Sequence, residues 1–218
     1  MKFAVLSKST WIILNILVKN TEYYVDEFGF IKQLRILPFE YTDSYTAKQG
    51  TTPRMARLRI AWVQDNLKID LKNSKILEVG PGAGILLREL RKICKHVDGY
   101  DVCKTKCVNV SLEEALGTHY DMVFFCDVVE HFQDINHIFD FHFNHAYFSF
   151  PWTPDVIPDN YRHAKANEHI YHLSPEPFEK FCLLHNYKTV AISNFEDTIR
   201  TPWSLCLPNI CSIGVSLL

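Results

Sequence analysis

The stretch KILEVGPGAG, residues 75–84, decides the fold of this chain. An apolar run with the pattern of a buried strand ends in Gly80, Gly82 and Gly84, three of only eight glycines in the sequence. A turn that combines positive φ angles with close backbone approach favours glycine, because other side chains would clash there. A strand, a glycine turn and a helix in succession leave free backbone N–H groups at the helix N-terminus, where nucleotide-like ligands bind. The stretch therefore predicts such a site in an α/β domain.

Outward from this turn, predicted strands and helices alternate. Apolar runs predict strands at 96–102, 121–126, 146–150, 187–192 and 210–218. Helical spacing predicts helices at 56–67, 85–94, 112–116 and 135–143, and a further one that begins after Ser174. This order predicts an α/β fold, Rossmann-like and doubly wound, with a mainly parallel sheet and an antiparallel C-terminal strand. Ahead of it, runs at 11–18, 22–25 and 30–37 predict a β-rich N-terminal extension.

Composition narrows the class of protein. The 218 residues are 47% hydrophobic and 22% charged, which excludes intrinsic disorder and allows a packed core. With 23 basic and 25 acidic side chains the net charge is −2, so no overall positive field favours nucleic acid. Seven cysteines without a repeated close spacing indicate reduced thiols and a cytoplasmic protein. The longest apolar run, residues 11–18, is too short to span a membrane.

The spacing of the glycines distinguishes between nucleotide-like ligands. A dinucleotide fingerprint needs a glycine where this chain has Ile85, and a phosphate-binding Gly-Lys-Ser/Thr loop is absent from the sequence. What remains is an acidic residue, Glu78, followed by alternating glycines. Asp101 follows 23 residues later, at the end of the next predicted strand, where its carboxylate can accept hydrogen bonds from both hydroxyls of a ribose.

Over residues 74–218 the chain resembles the class I S-adenosylmethionine-dependent methyltransferases. LEVGPGAG is similar to their first motif, GYDVC to their ribose-binding loop, and YDMVFFCDVVEHF to their fourth strand and the loop after it. The segment FSFPWTPDVIPDNYRHAKANEHIYHLSPEPFEKF resembles a subgroup of small-molecule and uncharacterised methyltransferases of phage and bacterial type. We accordingly divide one compact unit into a cap or extension at 1–52 and a methyltransferase domain at 53–218.

The resemblance implies S-adenosylmethionine as cofactor and methyl transfer as activity. The expected cofactor-binding residues are Glu78, Gly80, Gly82, Gly84, Asp101, Val102 and Asp127. Asn109, Ser111 and Leu112 are the local candidates for adenine contact, because only about 20 residues separate Asp101 from Asp121 and the family's third strand is expected to be short or missing. The DNA enzymes carry Asp/Asn-Pro-Pro-aromatic where this chain has Asp127-Val128-Val129-Glu130. We therefore expect a small-molecule, sugar or lipid-like acceptor and no nucleic-acid or membrane partner.

Histidines supply the candidates for acid–base chemistry. Seven of ten lie between positions 131 and 172, and the imidazole titrates near neutrality. We predict His131, His163 and His169 as catalytic residues, and Tyr41, Tyr45 and Glu168 as substrate contacts beneath the N-terminal extension. The spacings match no His-Glu-x-x-His or comparable set, so no metal is predicted. Arg54, Arg57 and Arg59 are interpreted as a solvated helix face.

Two other functions are compatible with these residues. A scaffold that binds S-adenosylmethionine without catalysis needs only the glycine turn and Asp101. An NAD-binding oxidoreductase needs a similar turn, although Ile85 weakens that reading.

Overall fold

A computed structural model describes residues 16–18, 20–39, 51–103, 105–154, 157–158, 160–200 and 208–218. The strands are β1 (Ile16–Val18), β2 (Thr21–Val25), β3 (Ile31–Gln33), β4 (Lys75–Val79), β5 (His96–Tyr100), β6 (His119–Cys126), β7 (His142–Pro151), β8 (Tyr171–His172), β9 (Tyr187–Ser193) and β10 (Ile210–Leu217). The α-helices are α1 (Pro53–Leu67), α2 (Ile85–Leu90), α3 (Leu112–Leu116) and α4 (Pro175–Leu184). Within these ranges, three short 3-10 helices cover Val129–His131, Ile135–Asp140 and Phe195–Thr198.

Six strands form the main sheet in the order β5-β4-β6-β7-β10-β9. β4 pairs in parallel with β5 and β6, and β6 in parallel with β7, whereas β10 is antiparallel to both β7 and β9. The predicted α/β fold with an antiparallel C-terminal strand is confirmed. From β4 the chain passes to β5 on one side and then returns to β6 on the other. Ligands of such sheets bind outside the carboxyl ends of the strands at this reversal.

Both faces of the main sheet are covered. The second half of β6, Met122–Cys126, is buried throughout, as expected for a central parallel strand. One face packs against α1 and α2, and the other against α4 and the 3-10 helix Ile135–Asp140. α1 begins cleanly because the Thr52 side chain accepts a hydrogen bond from the backbone N–H of Met55 at 3.2 Å.

The connection from β5 to β6 is short. Among residues 101–103 and 105–118 it contains α3 and no strand. α3 is fixed by a capping box, in which the Ser111 side chain accepts from the backbone N–H of Glu114 and the Glu114 carboxylate accepts from that of Ser111. The expectation that the family's third strand is short or missing is confirmed for this part of the chain.

The predicted helix at 135–143 is wrong in type and length. Residues Ile135–Asp140 form a 3-10 helix, Phe141 is extended, and β7 begins at His142. Ile135 and Ile138 are both buried. A spacing of three residues suits a 3-10 helix as well as an α-helix, because residues i and i+3 lie on the same face of both.

A second, small sheet joins the N-terminal extension to the rest of the chain. Its order is β1-β2-β3-β8, all antiparallel, and β8 lies in the segment between β7 and α4. In β3, Ile31 is the partner of His172 in β8. Phe30, which precedes β3 and is fully buried, contacts the rings of Phe178 and Phe181 on α4. The described part of the extension is therefore packed against α4 as well as paired with β8.

No helix in the described parts of the chain is long and apolar enough to cross a membrane.

Candidate functional site

The three glycines of the turn after β4 have left-handed backbone conformations. The φ angles of Gly80, Gly82 and Gly84 are 68°, 51° and 68°. A Cβ atom on Gly80 would lie 2.4 Å from Cγ2 of Val128, and one on Gly84 would lie 2.6 Å from Cβ of Cys107. Both positions therefore exclude larger residues by space as well as by conformation.

Asp101 lies directly beside this turn. It follows β5, and its Oδ2 accepts a hydrogen bond from the backbone N–H of Gly82 at 3.2 Å. Its Oδ1 accepts from the backbone N–H of Cys103 at 2.9 Å. The next residue, Val102, is largely exposed and, like Asp101, lines the adjoining cavity. The structure thus brings together the glycine turn and the acidic residue that the sequence places 17 to 21 positions apart.

Glu78 is the next-to-last residue of β4, close to the turn, and is buried. Its Oε2 has no hydrogen-bond partner among the described residues. Desolvation of the charged form raises the pKa of Glu78 to about 8, against the opposing influence of Arg59. A buried carboxyl with one unsatisfied oxygen at a ligand cavity is suited to pair with a cationic group.

Asp127, at the end of β6, belongs to a buried ion network. Its φ is 54°, and its Oδ2 accepts hydrogen bonds from Nη2 of Arg59 at 3.0 Å and from Arg200. Although burial opposes ionisation, Arg200 and Arg59 hold the pKa of Asp127 well below its usual range. Arg59 also donates to both carboxylate oxygens of Glu196, at 2.6 and 2.9 Å.

The interpretation of the arginines is therefore wrong for one of them. Arg54 and Arg57 are exposed as predicted, but Arg59 is completely buried. A signal was available in the sequence, since Arg59 stands on the same helix face as Ala56, Ile60 and Val63. Its partner Glu196 could not be found that way, because it lies 137 residues further along the chain.

The three predicted histidines lie together. The rings of His131 and His169 are 4.8 Å apart between centroids, and those of His163 and His169 are 6.2 Å apart and stacked. Desolvation lowers the pKa of His131 to about 3 and that of His163 to about 4. A general base works best with a pKa near the working pH, so His131 and His163 in these surroundings are weak bases.

Glu130 stands beside this histidine cluster and is almost completely buried. Its Oε2 has no hydrogen-bond partner among the described residues. Burial, reinforced by repulsion from Asp127, raises the pKa of Glu130 well above its ordinary value.

The predicted substrate contacts have different outcomes. Tyr41 and Tyr45 lie outside the described residues. Glu168 is buried, and its Oε1 accepts a hydrogen bond from Nζ of Lys165 at 2.6 Å. Lys165 lines the cavity and Glu168 does not. Lys165 was not among the substrate contacts predicted from the sequence.

One cavity of about 1040 Å³ joins these groups. At the carboxyl edge of the main sheet it is lined by Glu78, Gly80, Gly82, Asp101, Val102 and Asp127, whereas Gly84 is not part of the lining. Other parts of its wall are formed by Glu130, the histidine cluster, Lys165 and Arg200. The arrangement can hold a nucleoside against Asp101 and place a second ligand near the histidines. Such a fold and site define a nucleoside-cofactor enzyme of the doubly wound α/β class.

Comparison with known proteins identifies the family. A family model described as "Methyltransferase domain" matches residues 52–191, more than half of the chain. The chain therefore belongs to this family, and it is an S-adenosylmethionine-dependent methyltransferase. A search of curated protein sequences finds no match.

Solved structures of methyltransferases share the fold. An S-adenosylmethionine-dependent methyltransferase from Mesorhizobium loti has 13% identity and a TM-score of 0.54, over 76% of this chain and 98% of that one. One from Aquifex aeolicus has 11% identity and a TM-score of 0.55, over 82% and 100%. The Burkholderia thailandensis 1,6-didemethyltoxoflavin-N1-methyltransferase, solved with 1,6-didemethyltoxoflavin and S-adenosylhomocysteine, has 10% identity and a TM-score of 0.54, over 89% and 97%. At these identities the likeness shows the fold alone.

Proposed function

We propose that this enzyme transfers the methyl group of S-adenosylmethionine to a small polar molecule bound in the same cavity as the cofactor. The observation that carries the proposal is the continuity of that cavity. It runs along the glycine turn and Asp101 and is also lined by Glu130 and the histidine cluster. A nucleoside cofactor and a small acceptor would therefore lie side by side in one cavity, which favours direct transfer.

The cofactor's adenosine and methionine parts would contact different residues. We assign the ribose hydroxyls to the Asp101 carboxylate, beside Val102, because a carboxylate can accept two hydrogen bonds in addition to those from Gly82 and Cys103. Leu112 and Leu116 also line the cavity and offer an apolar surface for the adenine ring.

We assign the methionine part to the glycine turn, Glu78 and Asp127. When bound, S-adenosylmethionine supplies an electrophilic methyl group on a positively charged sulfur. The buried carboxyl of Glu78 faces the same cavity and lacks a second hydrogen-bond partner among the described residues. A cationic amino group of the cofactor would satisfy it.

The acceptor would contact the histidine cluster. His131, His163 and His169 come from two separate segments yet line one stretch of cavity wall. Their ring nitrogens can orient a hydroxyl group toward the methyl carbon, which is the main task of the protein in an in-line transfer. Lys165, held by Glu168, adds a polar group to the same wall. These polar groups favour a small polar molecule or a sugar over an extended lipid.

Cofactor binding tests the first half of the proposal. We expect S-adenosylhomocysteine to bind the purified protein in a calorimeter. Asp101→Ala should weaken binding about 10–150-fold, because a hydrogen-bonding group to the ribose is lost. Gly82→Val should abolish binding, since the side chain would enter the cavity and the φ of 51° suits glycine. Asp65→Ala, on the exposed face of α1, is the matched control and should bind normally. Equal affinity in all four proteins would refute the assignment.

Acceptor discovery tests the second half. The enzyme is incubated with S-adenosylmethionine carrying a deuterated methyl group and with separated small-molecule, lipid and nucleic-acid fractions of a cell extract. We expect a product heavier by one deuterated methyl group in the small-molecule fraction, and none with the Gly82→Val variant. A product found only in the nucleic-acid or lipid fraction would contradict the proposed acceptor class.

A further inference from the structure

Three side chains with metal-binding atoms meet at the cavity wall. Glu130 and His131 belong to the 3-10 helix after β6, and His169 lies just before β8. One ligand atom from each lies within 4.8 Å of the other two. The backbone holds the two segments together, because the N–H of Ile170 donates to the carbonyl of Glu130 at 2.8 Å.

The carboxylate of Glu130 provides an independent sign of an absent ligand. Its side chain is about 3% exposed, and its buried Oε2 has no hydrogen-bond partner among the described residues. Leaving a buried polar oxygen unsatisfied is costly in free energy. Because Glu130 lines the cavity, a cation in the cavity can reach this oxygen.

The orientation of His131 fits a metal ligand. Its Nδ1 lies 2.7 Å from the carbonyl oxygen of Glu168, and since a carbonyl can only accept, Nδ1 carries the proton. The lone pair is then on Nε2, which lies 3.9 Å from Oε1 of Glu130. Histidines that bind metals commonly donate their other ring nitrogen to a backbone carbonyl in this way. Two bonds of about 2.1 Å can span the distance between Nε2 and Oε1.

The cations nearby are already compensated. Lys165 pairs with Glu168, and Arg200 pairs with Asp127 and Glu196. Glu130 has no such salt bridge to lysine or arginine in the described part of the chain. The side chain of Glu130 therefore has no positive partner at the histidine end of the cavity among the described residues.

We propose that Glu130, His131 and His169 bind one divalent transition-metal ion at the acceptor end of the cavity. Two imidazoles and one carboxylate suit Mn²⁺, Fe²⁺ or Zn²⁺ better than Ca²⁺ or Mg²⁺, which prefer oxygen ligands alone. Three protein ligands leave coordination positions open toward the cavity. Those positions take an oxygen atom of the acceptor, a part of the inference that rests on the proposed function.

The sequence predicts no metal because recognisable metal-binding motifs place their ligands at short spacings. His169 and His172 have such a spacing, but the structure separates their roles, since the ring of His172 packs against Tyr23 at 5.0 Å between centroids. The ligands proposed here are two adjacent residues and a third 38 positions later, a pattern with no recognisable spacing.

The test measures metal binding directly, without cofactor or acceptor. The full-length protein is stripped with a chelator and titrated with Mn²⁺, followed by electron paramagnetic resonance of the free ion, and with Zn²⁺ in a calorimeter. We expect one ion per chain. Glu130→Gln, which keeps the shape of the side chain, and His169→Ala should each weaken binding more than about tenfold. Circular dichroism confirms that each variant is folded.

Two control variants separate this site from other histidines. His163→Ala removes a neighbouring ring of the same cavity wall, and His137→Ala removes an exposed histidine paired with Asp140 at the cavity rim. Both should still bind one ion. Absence of binding to the wild type, unchanged binding in Glu130→Gln and His169→Ala, or loss of binding in His137→Ala would each overturn the proposal. S-adenosylhomocysteine affinity, measured on the same samples, shows separately whether the proposed cofactor site is correct.

Discussion

Arg59 is the side chain on which the ion network beneath the cavity depends. It is fully buried, and it donates hydrogen bonds to Glu196, Asp127, Ser149 and Thr51. Tyr147 donates a further hydrogen bond to Glu196 at 2.8 Å. The network ties α1 to the ends of β6 and β7 and to the 3-10 helix Phe195–Thr198. It therefore fixes the position of Asp127 at the edge of the proposed cofactor site.

Replacing Arg59 should be strongly destabilising. Arg59→Met keeps most of the side-chain volume but leaves the carboxylate of Glu196 buried without its main partner. Loss of one member of a buried ion pair typically costs about 3–5 kcal/mol. Urea denaturation measures the change in the free energy of unfolding. Arg57→Met, one position on the exposed face of the same helix, should stay within about 0.5 kcal/mol of the wild type. A similar small effect from Arg59→Met would show that the network contributes little to stability.

The buried Glu78 should make the free energy of unfolding fall as the pH rises from 4.5 to about 8. Its pKa is about 8 in the folded protein and 4.5 for an ordinary glutamate, so the folded state binds its proton more tightly. The associated stability is fully present below about pH 4.5 and is lost as the pH rises through 8. Glu78→Gln removes this contribution, so relative to the wild type the variant should gain stability between pH 5 and pH 9. Denaturation curves at several pH values, with the exposed Glu113→Gln as control, measure it. A pH-independent difference between the two proteins would contradict the prediction.

At the scale of secondary-structure elements, the sequence predicts those helices and strands whose formation depends on neighbouring residues. The strand before the glycine turn and the helix after it follow from local pattern, and so does the short connection that holds α3. The α-helix expected at 135–143 is a shorter 3-10 helix in the structure, because a spacing of three residues does not distinguish the two kinds of helix. β8 was missed for a different reason: it has two residues and exists only through its pairing with β3, about 140 positions earlier.

The same distinction applies to the candidate site. Asp101 and the glycines are local features, and the structure brings them together as the sequence suggests. The proximity of Glu130 to His169 and the ion pair of Arg59 with Glu196 each involve distant parts of the chain. Such pairs cannot be derived from spacing, because tertiary packing decides which side chains meet.

At the scale of the whole molecule, the small sheet holds part of the cavity wall in place. The backbone N–H of Gln33 in β3 donates to the carbonyl of Ile170 at 2.9 Å, and the N–H of Ile170 donates to Glu130. The Gln33 side chain also donates from Nε2 to Oδ1 of Asn167 and accepts at Oε1 from the backbone N–H of Asn167, at 2.8 Å each. Two successive backbone hydrogen bonds thus connect the N-terminal extension to Ile170, the neighbour of His169, and then to Glu130.

We therefore propose that residues 1–52 act as a cap on the acceptor side and not as an independent domain, since so few residues bury too little surface to be stable alone. Deleting residues 1–46 removes β1–β3, uncovers Phe178 and Phe181, and leaves β8 unpaired. We expect increased binding of a hydrophobic dye and impaired acceptor turnover. Affinity for S-adenosylhomocysteine should fall much less, because the glycine turn and Asp101 belong to the main sheet. Full-length Tyr41→Ala/Tyr45→Ala separates loss of these side chains from loss of the small sheet. A truncated protein that methylates its acceptor at the full-length rate would disprove the cap.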